Sequence, residues 1–391
     1  MRDKERYTEE LPAEGLIYAE GNPAEGGSIV GSFSSDSLYK RTLQGKPIHG
    51  LIASSTAPQN IQIDAITRAG TINSEGVIIT VAEEALSDVS AQTFKVLIMS
   101  LTKATEQLPR ENQITPEAIL KGRTVRISLD EYMKKCGIKD KKSAREQLNT
   151  AIKTLYGISL EWDEKEWNKP DGKAYHRKET VHHATRIIEH IATREGGNPV
   201  RRGEAEIQLT YSMAEYLSKA YIMPYPSALF AINTQYHPYS IPFCWKLCSL
   251  YNMNWGKPTQ GRTTVETLLR AAKGIPRYET IAHRGNIYDK IIRPFDRDMQ
   301  ELVERGILSG YYYYDDMGAR VDNIAELNYL TFSGLNVWYE LSGYPDQTPR
   351  LEAKQQRIEA RIRRASKASK KRKQAEDEPI PGQITMQEAL T

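Results

Sequence analysis

Apolar side chains recur at helical spacing from Val89 to Gln107, with Phe94, Leu97, Ile98 and Leu101 on one face and Ser90 placed to cap the start. Thr124–Ser128 reads as a short strand. Ser128 and Glu131 then make a capping box for a helix that turns Tyr132 and Met133 inward and stops at Gly137. Lys141 to Tyr156 forms the next helix, buried along Ala144, Leu148, Ala151, Ile152 and Leu155, and Gly157 ends it. Period-two alternation follows at Ile158–Trp162, Thr180–Thr193 and Glu204–Thr210, the last two flanking a turn with Arg201 and Arg202 at its tip. A charged insert, Asp163 to Lys178, interrupts the first connection. Ser212–Ala220 closes the unit as a short helix, and the prolines of Met223–Pro226 mark a boundary.

The second half repeats this plan. Ser240–Asn252 is a helix with Ile241, Cys244, Leu247, Cys248 and Tyr251 on one face. Thr263 and Glu266 form the second capping box, and a long amphipathic helix spans Asn286–Val303. A strand runs from Ile307 to Tyr314, Asp315–Gly318 supplies a turn, and Leu327–Phe332 returns. Gly137-Ile138 and Gly157-Ile158 in the first half correspond to Gly274-Ile275 and Gly306-Ile307 in the second, at different spacings. The chain therefore duplicates an architecture rather than a sequence. Two helices followed by a β-hairpin define a winged helix, so the expected fold class is α+β with two tandem winged-helix domains. The expected division is a polar N-terminal extension over 1–80 with a hairpin at 61–81, winged helices over 81–222 and 223–345, and a basic C-terminal tail over 346–391. Little order is expected over residues 1–30.

Chemistry concentrates on the long helix of the second half. Tyr288, Ile291, Ile292, Phe295, Met299 and Leu302 occupy one side, while Asn286, Lys290, Arg293 and Arg297 fall in a narrow arc opposite, three cations and one amide with no acid. An ordinary solvated face mixes signs, because Glu and Lys one turn apart support each other. Arg and Lys can clamp phosphate or pair with guanine, and Asn with adenine, so this ridge suits a DNA groove. A plain core helix with a chance run of bases is the competing interpretation. Pro294 implies a kink or a break before Phe295.

Composition narrows the partners less. The 391 residues are 39% hydrophobic and 26% charged, with a net charge of +3 that by itself implies no partner. Three cysteines, Cys136, Cys244 and Cys248, fit a reducing compartment, and the Cys244/Cys248 pair reads as core. No apolar run approaches a membrane span and the N-terminus lacks a signal-peptide pattern, so a soluble, cytoplasmic protein is expected. The segment Leu351–Gln374 carries ten Lys or Arg against Glu352 and Glu359, which suits added phosphate contacts. Pro379–Thr391 is a further segment that could carry a partner-binding peptide.

Catalytic signatures are missing. There is no phosphate-binding G-x-x-x-x-G-K-[ST] loop and no metal-holding His pair. His183-Ala184-Thr185-Arg186 has a recombinase-like spacing but lies in an expected wing strand, and Tyr311–Tyr314 reads as a half-buried strand. No enzyme activity, cofactor or metal is expected.

The segments Tyr239–Leu247, Thr264–Leu269, Tyr278 and Ile287–Leu302 resemble the C-terminal winged helix of the iteron-binding plasmid and phage replication initiators. Residues 89–210 are more loosely similar to that family's first winged helix. The resemblance implies a sequence-specific protein that binds direct repeats in double-stranded DNA at a replication origin, recruits host replication proteins such as a helicase or initiator, and can dimerise off DNA. It implies a bacterial protein associated with a plasmid, nucleoid or other mobile element. Carried over, it assigns base reading to Asn286, Lys290, Arg293 and Arg297, and the corresponding work in the first unit to Lys142, Arg145, Asn149 and Lys153. A repressor binding an inverted repeat as a dimer is the alternative. A strand-cleaving relaxase or recombinase is a third reading, which the missing motifs weigh against.

Overall fold

A computed structural model describes residues 16–18, 29–31, 39–44, 46–54, 62–65, 69–74, 77–83, 85, 89–110, 113–166, 179–192, 198–281 and 286–348. Among these residues the protein is α+β, with two tandem winged-helix units that share one continuous hydrophobic core. Most of residues 1–30, most of the charged insert, and the basic tail lie outside the described residues, as do the expectations that concern them.

Before the first unit come strands β1 (Leu16–Tyr18), β2 (Ile29–Gly31) and β3 (Tyr39–Gln44), then helix α1 (Lys46–Ser54). Strands β4 (Gln62–Ile63), β5 (Gly70–Ser74) and β6 (Val77–Val81) form an antiparallel meander. The expected hairpin of Ile61–Ile66 on Val77–Val81 is corrected, because Gly70–Ser74, expected as turn, is a strand that pairs with both. Helix α1 buries Ile48, Leu51 and Ile52, apolar positions lying in a Ser-rich stretch with no clear period. It packs so closely on the hairpin that a Cβ on Gly50 would lie 2.8 Å from Val77 Cβ and 2.9 Å from the Ser74 carbonyl oxygen. Only glycine permits that approach.

The first unit proper comprises α2 (Ala91–Gln107), α3 (Pro116–Gly122), β7 (Thr124–Ser128), α4 (Leu129–Cys136) and α5 (Lys141–Tyr156). The caps follow the local chemistry. Ser128 Oγ accepts from the Glu131 N–H, Asp140 accepts from the Ser143 N–H, and Gly137 takes the left-handed conformation with φ +66°. Glu131 does not complete the capping box, because its carboxylate is held by Lys135 and Lys103. Ser90 stands at the start of α2 but makes no side-chain cap.

Beyond α5 run β8 (Ile158–Glu166), β9 (Glu179–Arg186), β10 (Ile188–Ile191), β11 (Val200–Arg201), β12 (Glu204–Leu209) and α6 (Tyr211–Lys219). The single strand expected over Thr180–Thr193 is two. β9 pairs with β8 and extends the N-terminal meander into a five-stranded sheet, whereas β10 pairs with β12 in the wing sheet, where β7 and β11 also join β12. The switch falls at Ile187 and Ile188, consecutive buried residues that break the alternation.

Met223–Pro226, expected to mark a boundary, lies within a strand. β13 (Tyr221–Pro226) pairs with β3 along its whole length, from Tyr221 opposite Gln44 to Pro226 opposite Tyr39. Pro224 and Pro226 are tolerated because this two-stranded sheet leaves each strand a free edge for the missing N–H. A 3₁₀ turn at Ser227–Ala231 leads into the second unit: α7 (Ser240–Met253), β14 (Arg262–Thr264), α8 (Val265–Ala271) and α9 (Tyr278–Ile281). A π-turn at Tyr288–Ile292 opens α10 (Arg293–Glu304), and β15 (Leu308–Tyr314), β16 (Arg320–Val321), α11 (Tyr329–Gly334) and β17 (Asn336–Leu341) complete the unit.

Two expectations are corrected here. The cap of α8 is Thr264, one residue later than Thr263, with its hydroxyl accepting from the Thr267 N–H. The segment Leu327–Phe332 is mostly helical rather than a strand, because Asn328 caps α11 and Phe332 is drawn into the core against Phe295. The return strand is β17, which alternates buried Val337, Tyr339 and Leu341. The duplication is plain in the pairing. The strand before each capped helix lies on the return strand of its own wing, β7 on β12 and β14 on β17.

Candidate nucleic-acid interface

The outward side of α10 and its π-turn is built by the apolar face beneath it. Ile291, Ile292, Phe295, Met299 and Leu302 are buried, as the spacing requires, but Tyr288 is exposed rather than core. Pro294 neither breaks nor ends the helix. It has no N–H to give the preceding turn, and the chain widens so that the Arg293 N–H reaches the Tyr288 carbonyl five residues back. Asn286, Lys290, Arg293 and Arg297 all remain exposed along one row.

The row is not free of acid. Asp289 stands at its edge, its N–H donating to Asn286 Oδ1 at 3.0 Å and its carboxylate accepting from Arg293 at 3.2 Å. Asn286 therefore caps this helix as well as facing outward, and Asp289 fixes where the Arg293 guanidinium points. Arg297 is also braced, donating from Nε to Asp298 at 2.9 Å. Asp298 is buried, and desolvation pushes its carboxyl above the usual range despite Arg297, the Tyr239 N–H and His237 beside it. Lys290 makes no ion pair among the described residues.

A second tie holds this helix to its wing. Tyr311 and Tyr313 point inward from β15 and both hydroxyls donate to Asp296 Oδ1, at 2.6 and 2.8 Å. Burial, followed by the negative charge of Asp296 for Tyr311, pushes these phenols up. The four-tyrosine run thus divides by strand parity. Tyr312 and Tyr314 face outward, with Tyr312 stacked on Trp338.

In the first unit Lys142, Arg145 and Lys153 are exposed on α5, and Asn149 is half-buried. Asn149 does not simply face outward: its Oδ1 accepts the Val200 N–H at 2.8 Å and ties α5 to the wing strand β11. The β11–β12 connection is a two-residue turn in which Arg202 has φ +50° and Gly203 φ +85°. This left-handed pair suits the twist of a tight hairpin. It places Arg202 exposed at the wing tip; Arg201 lies in β11 opposite Glu204. Lys139 and Lys141, both exposed at the start of α5, lie in the same basic run as Lys142 and belong with it. Asp289, Asp296 and Lys95 carry no sequence signal of their own, because their roles depend on partners one turn or many residues away.

The arrangement is that of a tandem winged-helix protein, with a cationic helix and a braced hairpin in each unit. Residues 80–224 match the family model described as initiator replication protein, WH1. This match agrees with the resemblance of residues 89–210 to the first winged helix of the replication initiators. No curated protein matches the chain. Among solved structures, the crystal structure of RctB domains 2-3 is similar at 11% identity, covering 74% of this chain and 96% of that one with a TM-score of 0.35. A selenomethionine form of RctB domains 2 and 3 is similar at 10% identity, covering 79% and 93% with a TM-score of 0.34. Among the described residues no helix is long and apolar enough to cross a membrane, and no group of three metal-ligating side chains is present.

Proposed function

We propose that the protein initiates replication by binding short direct repeats in double-stranded DNA at its origin, with α10 and α5 each entering a major groove. The observation that carries this reading is the exposed row Asn286, Lys290, Arg293 and Arg297 on a helix anchored from behind by Asp296, which holds Tyr311 and Tyr313, and by Asp298, which holds Tyr239 and Ser240. Side chains that read bases need a rigid helix beneath them, and these anchors supply it. Lys142, Arg145 and Lys153 on α5, with Arg202 at the wing tip, would contact the same duplex from the first unit. Origin melting and recruitment of host replication proteins belong to the same proposal, supported by the likeness of residues 80–224 to the initiators, and it includes no catalytic step or cofactor.

The test is to mix the purified protein with sheared DNA of its own replicon at moderate salt and sequence what it retains. A few direct repeats beside an A·T-rich stretch are expected. A single inverted repeat over a promoter would replace this reading with a dimeric repressor. Uniform retention abolished by salt would refute specific recognition. On a retained repeat, Arg293→Ala should cost about 1–3 kcal/mol if Arg293 reads a base.

A further inference from the structure

The connection between the two units is laid down along α2 and tied at several points. Arg110 Nη1 donates to the carbonyls of Leu217, Ser218 and Ala220 at the end of α6, at 3.0, 3.0 and 2.8 Å. β13 is paired along its length with β3, and the Tyr225 hydroxyl bonds Thr102 of α2 at 2.9 Å in the interior. One turn later the chain meets Lys95. This lysine of α2 is buried, 3% exposed, and its Nζ donates to the Phe230 carbonyl at 2.8 Å and the Ile232 carbonyl at 2.6 Å. The Phe230 ring is itself fully buried, with the Lys135 ammonium 5.7 Å from its centroid.

The far end of the same segment is fixed to the second recognition helix. The Tyr239 N–H and the Ser240 hydroxyl donate to the side chain and backbone of Asp298, and His237 lies 3.6 Å from both Asp298 and Glu301. Residues 230–240 therefore link α2 to α10 with a polar anchor at each end. A buried ammonium is costly, and it is retained where it satisfies acceptors that water cannot reach. The two carbonyls it meets belong to the segment that joins the first unit to the second, beside the contacts that α1 and β3 make with the second unit through His49 and Trp245 and through Tyr39 and Ser342.

We infer that Lys95 is a positioning residue that locks the two winged helices in one relative orientation, and so fixes the spacing at which α5 and α10 meet the duplex. The DNA part of this inference rests on the function proposed above; the orientation part does not. Thr102 and Arg110 hold the connection further back, and Lys95 sets its last turn before α7.

The experiment measures the free protein first. Spin labels at Tyr156→Cys and Glu304→Cys, exposed ends of α5 and α10, are introduced with Cys136→Ser, and the distance distribution is read by pulsed electron resonance. The otherwise wild-type chain and Lys95→Arg should each give one narrow distribution, and Lys95→Met, similar in length but unable to donate, a distribution at least twice as broad. An unchanged width in folded Lys95→Met overturns the inference. Should Lys95→Met fail to fold, Lys95→Gln, too short to reach both carbonyls, takes its place and should broaden the distribution in the same sense; an unchanged width there overturns the lock equally.

The second arm uses a retained repeat with two or five base pairs inserted between the segments protected by each unit. Wild type and Lys95→Arg should lose tenfold or more in affinity on the inserted sites, and Lys95→Met less than threefold. A mere loss of stability would lower affinity on every spacer alike and leave the ratio unmoved. Identical spacer ratios for wild type and Lys95→Met refute the spacing role. Failure of wild type to bind any repeat would sink the proposed function and leave the distance measurement to decide the lock.

Discussion

Arg202→Asn separates what the wing tip costs the fold from what it does for binding. Arg202 has φ +50° and Gly203 φ +85°, so both central residues of the turn are left-handed. A side chain with a Cβ in that conformation costs about 1–2 kcal/mol. Asparagine tolerates it better than arginine, and Asn-Gly is the preferred pair for this turn. Arg202 makes no ion pair among the described residues, so no contact known there is lost in exchange. Arg202→Asn should therefore stabilise the protein by about 0.5–1 kcal/mol, read from the midpoint of urea unfolding. The same change removes a cation from the tip. If Arg202 neutralises one phosphate, the slope of log affinity against log salt should become shallower by about 0.9, with weaker binding at low salt. Higher stability with weaker, less salt-dependent binding is the expected pair of results. Higher stability with an unchanged salt slope would refute a phosphate contact, and lower stability would refute the strain argument itself.

Three other outcomes are expected. Asp296→Ala leaves the Tyr311 and Tyr313 hydroxyls without their acceptor and should destabilise the protein by about 2–4 kcal/mol in chemical denaturation. Asn149→Ala should cost about 1 kcal/mol and speed hydrogen exchange at the Val200 amide, which it otherwise holds, while helix α5 keeps its protection. Burial, with the Arg305 guanidinium adding to it and Cys136 opposing, pulls the Lys95 ammonium down from 10.5 to about 8. A lysine whose folded pKa lies below its unfolded one releases its proton first in the fold. Its contribution to stability is therefore least below about pH 8 and rises between there and about 10.5, by on the order of 1–3 kcal/mol. Comparing unfolding of wild type and Lys95→Met at pH 7.5 and 9.5 checks this; an equal pH response of the two proteins would contradict it.

The sequence by itself determined those features whose cause is local. The period of Phe94, Leu97, Ile98 and Leu101, the Ser128 cap, the left-handed Gly137 and the buried stripe of α5 each depend on neighbours within one or two turns, and their spacing is legible. The duplicated order of helix, capped helix, long helix and hairpin is likewise a sum of local signals, and it sufficed for the winged-helix fold and the row Asn286, Lys290, Arg293 and Arg297. Leu327–Phe332 went astray because an Asn cap and a core contact with Phe295 outweigh the alternation of a short apolar run. Thr180–Thr193 went astray because sheet membership is decided by partners, and two sheets compete for one stretch of chain.

Only the tertiary structure decided what each polar side chain is for. Lys95 looks like any lysine on an amphipathic helix until Phe230 and Ile232 are brought to it from 135 and 137 residues away. Asn149 looks like a base-reading amide until the Val200 N–H occupies its oxygen, and Asp296 is unremarked until two tyrosines share it. The physical reason is that periodicity records which side of an element is dry, a property of the element alone. A hydrogen bond between distant residues depends on a distance that exists only after the chain has closed on itself.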